Sequence, residues 1–394
     1  MHLAATARKL SPGLEKAAGE VLDRRLLRDH PRPIAVALSG GGDSVALLLA
    51  AHDWAKTAGR QLIVLTIDHQ LRPESAAWTE TCAAMARRLG LPFRALPWTG
   101  EKPATGLPAA ARAARHALLA DAARDAGARV ILLGHTADDV LEARLMRQAG
   151  STTPEPHEWS PSPAWPQGRG LFLLRPLLGV RRAAMRAWLS AHGEHWLDDP
   201  ANEDAAYARP RARQTLAMGA AAPASKARAS AKALALATRQ DDTAGLEIDR
   251  AVLRAARPDA LARFLSAACL CAAGTARPPQ RAKTERLAAR ITSEEDFTAS
   301  LAGARVEAKA GVVRFGREPG EAARGGLAPI KLGAGQIAVW DGRFEVTADG
   351  ATEVIVAARR TTPVTTDAAV ALTVRPLSHP RLLAACGAVE TEPL

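Results

Sequence analysis

The chain has 394 residues, 47% of them hydrophobic, and a formal net charge of +11 from 52 basic against 41 acidic residues. No apolar run approaches the roughly 18–20 residues that a membrane-spanning helix needs, and the first twenty residues lack the apolar core of a secretory signal, so a cytoplasmic protein without a membrane span is predicted. The length allows two or three domains with their own cores, and the excess of Lys and Arg favours a polyanionic partner such as nucleic acid.

In chain order, residues 34–38 form a short apolar run. It is followed at once by Ser39, Gly40, Gly41, Gly42, Asp43 and Ser44, and then by a helix-like run over 45–50. This reads as strand, tight loop, helix. Further apolar runs at 62–67 and 130–133 alternate with helical stretches over 74–89 and 109–126, the pattern of an α/β, Rossmann-like parallel sheet with helices on both faces. In such sheets ligands bind beyond the carboxyl ends of the strands, where the glycine loop, Asp68 and His135 all fall.

Past Gly150 repeated proline forbids a continuous helix, and residues 151–170 are predicted to be a loop or excursion. A second stretch of the same domain runs over 171–213. Between 205 and 240 seven basic residues occur with no acidic one, which predicts an electropositive, partly flexible hinge. Residues 246–291 read as helical, and the remainder, from 297, as short strands separated by glycine turns. The expected division is an α/β domain over 1–220, a helical linker or nucleic-acid-binding region over 221–295, and a small, mostly β region over 296–394. Cys82, Cys269, Cys271 and Cys386 form no paired C-x-x-C knuckle, so reduced, buried thiols without structural zinc are expected.

Three consecutive glycines between a strand and a helix let backbone N–H groups approach phosphate oxygens closely, and the helix N-terminus adds a favourable dipole. Ser39 and Ser44 can add hydroxyl donors. Asp43 cannot face a phosphate unless a cation lies between them, which implies Mg²⁺. The loop is neither the P-loop kinase motif nor the dinucleotide fingerprint; it resembles the SGGxDS signature of PP-loop ATPases. A second block places His135, Asp138, Asp139 and Glu142 at a helix start, with the carboxylates on one face, an arrangement suited to a cationic guest or metal; the alternative is capping by Thr136 and the aspartates. A third puts Arg112 and Arg115 three apart on one helical face, suited to phosphate or nucleobase contacts.

Together with Arg175-Pro176-Leu177-Leu178 and Trp196-Leu197-Asp198-Asp199-Pro200-Ala201-Asn202, these blocks resemble the tRNA(Ile)-lysidine synthetase family over about residues 30–215. The resemblance implies a PP-loop (adenine nucleotide alpha hydrolase-like) domain, followed by a helical region and a small C-terminal α+β region. It implies an enzyme that uses ATP and Mg²⁺ to adenylate C2 of the wobble cytidine of tRNA(Ile) with a CAU anticodon, after which free L-lysine displaces AMP. By the same resemblance Ser39 to Ser44 hold ATP, Asp43 helps Mg²⁺, and Asp138, Asp139 and Glu142 hold lysine. Asp43, His135 and Asp139 would act catalytically. Arg112 and Arg115 would contact ATP or the cytidine, and Arg209, Arg211 and Arg213 the tRNA.

His116 stands where the family usually shows tyrosine, and Pro210 replaces an asparagine of its RNRxR segment. Three rivals stand beside this reading. A small-molecule amidotransferase of the same fold would not require the basic hinge. A PP-loop tRNA 2-thiolase would need sulfur-handling cysteines beside the loop, and a noncatalytic tRNA-binding protein would be expected to lose Asp43 or the acidic helix. The oligomeric state, a dimer included, is left open by the sequence.

Overall fold

The computed structural model describes residues 12–151, 153–198, 208–219, 221–222, 230–293, 295–349, 353–367 and 369–394. Contacts divide the chain into two units, residues 1–227 with 390–394, and residues 228–389. Among the described residues no helix is long and apolar enough to cross a membrane.

The first unit contains α1 (Pro12–Arg25), β1 (Ile34–Ala37), α2 (Gly42–Thr57), β2 (Leu62–Asp68), α3 (Ser75–Arg88), β3 (Phe93–Pro97), α4 (Leu107–Asp125), β4 (Val130–Leu132), α5 (Ala137–Gln148), β5 (Trp159–Pro161), β6 (Phe172–Leu174), α6 (Arg182–Ala191) and α7 (Ala208–Ala217). The sheet order is β3-β2-β1-β4-β6-β5, with every pairing parallel except β5 against β6. Leaving β1, the chain builds outward through β2 and β3, then returns to the other side of β1 at β4. The crevice between the carboxyl ends of β1 and β4 is therefore the topological switch point, where open α/β sheets bind ligands.

Both sheet faces are buried, as the near-continuous apolar strands require. On one face Val45 and Leu48 of α2 share a core with Leu22 of α1, Ala86 of α3 and Met185, Trp188 and Leu189 of α6. On the other, Leu119, Ala120 and Ala123 of α4 pack on Ala35, Leu65 and Ile131. The 151–170 excursion is more ordered than proline content suggests. Its Trp159–Pro161 segment closes the sheet edge, and the Trp159 ring stacks on Phe172 at 4.8 Å. Proline is admissible there because an edge strand need not donate on both sides.

The second unit holds α8 (Lys232–Leu236), β7 (Arg239–Gln240), β8 (Leu246–Asp249), α9 (Arg250–Arg254), α10 (Pro258–Ala273), α11 (Arg281–Thr292), β9 (Phe297–Leu301), β10 (Ala304–Lys309), β11 (Val312–Arg317), β12 (Ile330–Leu332), β13 (Ile337–Trp340), β14 (Phe344–Asp349), β15 (Val354–Arg359), β16 (Thr362–Thr365), β17 (Ala371–Pro376) and α12 (Ser378–Cys386). The expected helical start at residue 246 is corrected: 246–249 is a strand in an antiparallel sheet of order β7-β8-β11-β10-β9. Its alternation of buried Leu246 and Ile248 with outward Glu247 and Asp249 is a two-residue period, too short to be told from a helical turn in sequence. Phe264 and Leu265 of α10 and Leu287 of α11 share one core with Val306 and Phe315 of this sheet. All four cysteines are free and buried.

Residues 390–394 return to the first unit. Arg60 donates to Glu392 Oε2 at 2.8 Å and to Oε1 at 2.9 Å, and both side chains are fully buried. The Glu392 amide donates to Arg25 O at 2.8 Å. Removing one member of a buried, hydrogen-bonded ion pair strands the other, so Glu392→Ala is expected to destabilise the protein by about 3–5 kcal/mol, while a double Arg60→Met, Glu392→Met variant should recover much of that loss. Urea denaturation of the three proteins checks this.

Candidate functional site

The glycine loop leaves β1 and enters α2 at the switch point. Gly41 caps α2 with extended backbone and no side-chain cap, and the first amides of a helix have no intrahelical acceptor. Two hydroxyls shape the loop: Ser39 Oγ donates to Ser44 Oγ at 3.1 Å, and Ser44 Oγ donates to Gly41 O at 2.8 Å. Gly40 has φ +81°, and a Cβ there would lie 2.5 Å from Leu197 Cδ1. The Leu197 amide in turn donates to Gly40 O at 2.9 Å. Trp196 and Leu197 thus brace the loop from outside, a role their place in the sequence did not announce. Asp199, Pro200, Ala201 and Asn202 of the same motif lie outside the described residues.

Gly134, just past β4, brings the second block against the first. A Cβ there would sit 2.8 Å from Asp43 O and 3.0 Å from Ser44 Cα, so only glycine permits this approach of backbone to helix start. Thr136 caps α5: its Oγ1 accepts from the Asp139 amide at 3.3 Å, while Asp139 Oδ2 accepts from the Thr136 amide at 2.7 Å and hydroxyl at 2.9 Å. The capping role weighed in sequence is therefore real for one oxygen of Asp139. Its other oxygen faces the site.

Four carboxylates meet four guanidiniums there. Arg182, the first residue of α6, donates through Nε to Asp43 Oδ2 at 3.0 Å, through Nη1 to Glu142 Oε1 at 2.9 Å and through Nη2 to Asp139 Oδ1 at 3.2 Å. Its backbone amide donates to Asp138 Oδ2 at 2.7 Å, and Arg181 lies 3.1 Å from Asp138 Oδ1. From α7, Arg213 Nε donates to Glu142 Oε1 at 3.0 Å and Arg209 Nε stands 3.2 Å from Glu142 Oε2. Glu142 is fully buried. Burial pushes the Asp43 carboxyl up against the pull of Arg182. Burial also opposes the Arg182 charge, yet Asp139, Glu142 and Asp43 together hold its guanidinium above its ordinary value.

Beside this acidic cluster stands a basic one. Burial, with mutual repulsion, brings Arg115 down to about 10 beside Arg112 and Arg209, and Arg175 down to about 10 beside Arg112 and Arg115. Arg175 Nε donates to His135 Nδ1 at 3.2 Å. Because a guanidinium only donates, Nδ1 must be a lone pair, so His135 is neutral and carries its proton on Nε2. Burial holds His135 well below the ordinary imidazole value, and Arg175, Arg115, Arg209 and Arg112 add to that. Burial likewise pushes His116 down to about 2, with Arg115 and Arg112 contributing.

The structure thus gathers Ser39 to Ser44, Asp138, Asp139, Glu142, Arg209 and Arg213 with Arg182, and sets His135, Arg112 and Arg115 beside them in the basic cluster. Arg211 is exposed on α7. Asp68, also at a strand end, instead accepts from Ser75 Oγ and from the Gln70 amide at 3.0 Å, holding the entry to α3. Asp198 pairs with Arg186 at 3.1 Å, away from the α7 arginines. Among the described residues no cluster of three His, Cys, Asp or Glu could cage a metal. Mg²⁺ is commonly bound through one or two carboxylates plus substrate phosphates, and Asp43, in the first turn of α2, presents a carboxylate beside the loop. A concavity of about 400 Å³ in the second unit, lined by Arg277, Lys283 and Glu321 among others, has no such convergence.

A family model described as a PP-loop domain matches residues 13–219. The chain is 50% identical over 339 residues to the tRNA(Ile)-lysidine synthase of Caulobacter vibrioides, an alignment covering 86% of this chain and 79% of that one. It is 37% identical over 313 residues to the tRNA(Ile)-lysidine synthase of Hyphomonas neptunium, covering 75% and 83%. With that of Brucella anthropi it shares 35% identity over 352 residues, covering 82% and 75%.

The buried histidines make a pH dependence. His116 folds with a value near 2 against an ordinary 6.5. Below pH 6.5 the unfolded chain takes up a proton that the folded chain refuses, so stability is full above that pH and falls as pH drops. One such histidine contributes about 1.4 kcal/mol per pH unit between roughly 6.5 and 5, before carboxylates titrate. Urea midpoints over this range should fall with acid in the wild type and more gently in His116→Gln.

Proposed function

The chain belongs to the tRNA(Ile)-lysidine synthase family, and we propose that its first unit binds ATP at the glycine loop and joins L-lysine to C2 of the wobble cytidine of tRNA(Ile) with a CAU anticodon, in the cytoplasm. The observation that carries this reading is the meeting, at the switch point, of a glycine loop at a helix N-terminus with buried carboxylates suited to an ammonium group. The rival 2-thiolase reading has less support, because a sulfur carrier must be reachable and all four cysteines are buried.

In the first step the cytidine C2 oxygen attacks the α-phosphorus of ATP, and the bond to pyrophosphate breaks. Amides at the start of α2, with Ser39 and Ser44, receive phosphate oxygens, where fixed donors stabilise charge without reorganising. Asp43 would hold Mg²⁺ against those oxygens, and the ion would offset their charge. Arg112 and Arg115, short of anionic partners for their charge, suit the phosphate or the base. Neutral His135 offers an Nε2–H donor to the same region.

In the second step the lysine amine attacks C2 and AMP departs with the bonding pair. Asp138, Asp139 and Glu142 would receive the ammonium, and Asp139 would take the proton the amine must lose, directly or through a water. Asp139 Oδ2 accepts from Thr136 and Oδ1 from Arg182, and an ionised carboxylate keeps further lone pairs for the amine. The arginines of α7, about one-third exposed where they meet Glu142, together with Arg211, would turn their remaining donors to tRNA phosphates, which supply affinity without reading sequence.

Asp43→Ala should abolish AMP formation while tRNA affinity stays nearly unchanged, as seen by AMP assay and filter binding. Glu142→Gln should raise the apparent KM for lysine about tenfold and that for ATP much less. A collapse of ATP affinity with unaffected lysine KM would instead assign these acids to the metal.

A further inference from the structure

We propose that Arg182 is the positioning residue that joins the two steps: its guanidinium fixes Asp43 of α2 and Asp139 and Glu142 of α5 as one array, so one side chain sets the geometry at both the nucleotide and the amine. The inference rests on the reading of these acids given above. It adds a residue that carries no role in that reading.

Three of its features are geometric. Each guanidinium nitrogen is committed to a different carboxylate, at 3.0, 2.9 and 3.2 Å, and these carboxylates come from two helices. The backbone amide of the same residue takes a fourth carboxylate, Asp138, at 2.7 Å. The anchor is rigid, because Met185, Trp188 and Leu189 of α6 sit in the core that α2 also builds. A planar fork can serve three acids at fixed angles, whereas a lysine ammonium is a single point charge.

The fourth feature is a broken rule. Arg181 and Arg182 stand at the N-terminus of α6, where the N-cap side chain itself makes no capping bond and the helix dipole disfavours cations. A chain that places two arginines there gains nothing locally, and such violations concentrate at functional positions. Stability is a weak explanation, since buried ion pairs are often no better than apolar packing of the same volume. Alignment of the two reacting halves explains the placement directly, because small displacements of catalytic groups are costly to rate.

The test uses the full chain with tRNA, ATP, Mg²⁺ and lysine, reading pyrophosphate release in a single turnover without lysine for the first step and lysine KM for the second. Arg182→Ala should slow the first step at least tenfold and raise lysine KM about tenfold, and Arg182→Lys, which keeps the charge but loses the fork, should recover less than half of either effect on a logarithmic scale. Adding Glu142→Gln to Arg182→Ala should raise lysine KM by less than about threefold, because residues acting through one contact are not additive. A purely structural arginine would give a lower melting temperature, an unchanged lysine KM and additive effects, and that result overturns the proposal. If Arg182→Ala fails to fold, Arg182→Lys carries the same test: a wild-type first step and lysine KM in that variant would overturn it. If Glu142→Gln leaves lysine KM unchanged in the wild-type background, the reading of the acids fails first and this inference falls with it.

Discussion

Four carboxylates cannot be drawn into one half-buried crevice unless cations come with them. Asp43, Asp138, Asp139 and Glu142 are brought there by the close approach of Gly134 to the start of α2, and Arg181, Arg182, Arg209 and Arg213 answer them, four charges to four, with Arg182 shared among three acids. The backbone approach and the charge balance depend on each other. A side chain at residue 134 would part α2 from α5, and without the arginines the acids would repel across the gap. The loop, the acidic helix and the entry to α6 are one construction.

Charge in the crevice is sorted as well as balanced. Arg112, Arg115 and Arg175 stand beside the acidic array with too little negative charge for their number, which burial and mutual repulsion register as lowered guanidinium values. An anion is favoured on that side, while on the other the acids are balanced by arginines and offer a cation their remaining lone pairs. A reaction that spends a triphosphate and then admits an amine needs that separation within a few ångströms. His135, held neutral by the Arg175 donor at its Nδ1, adds a donor without adding charge.

Much of this was legible in residues 30–145, where chemistry and local structure coincide. The glycine loop could only follow a strand and open a helix, and the acids after β4 could only start one. Arg182 was not legible, because nothing in its neighbourhood marks it except that it sits at the wrong end of a helix; its partners lie 40 and 139 residues away in sequence. The inward aim of Arg209 and Arg213 was hidden for the same reason: a run of basic residues reads as a solvated face until the fold supplies the buried Glu142. Trp159–Pro161 and Leu246–Asp249 were missed as strands because a few residues cannot establish a two-residue period. Nor could the pairing of Glu392 with Arg60 be foreseen, since it joins residues 332 apart.

A crevice so built should place lysine on a tRNA base. Mass spectrometry of nuclease-digested tRNA(Ile) with a CAU anticodon, after incubation with the protein, ATP, Mg²⁺ and lysine, tests it most directly. The expected result is loss of one cytidine at the wobble position and a nucleoside heavier by lysine less one water, dependent on every component. An unaltered wobble cytidine, or one that has exchanged oxygen for sulfur when a sulfur donor is supplied, would contradict it.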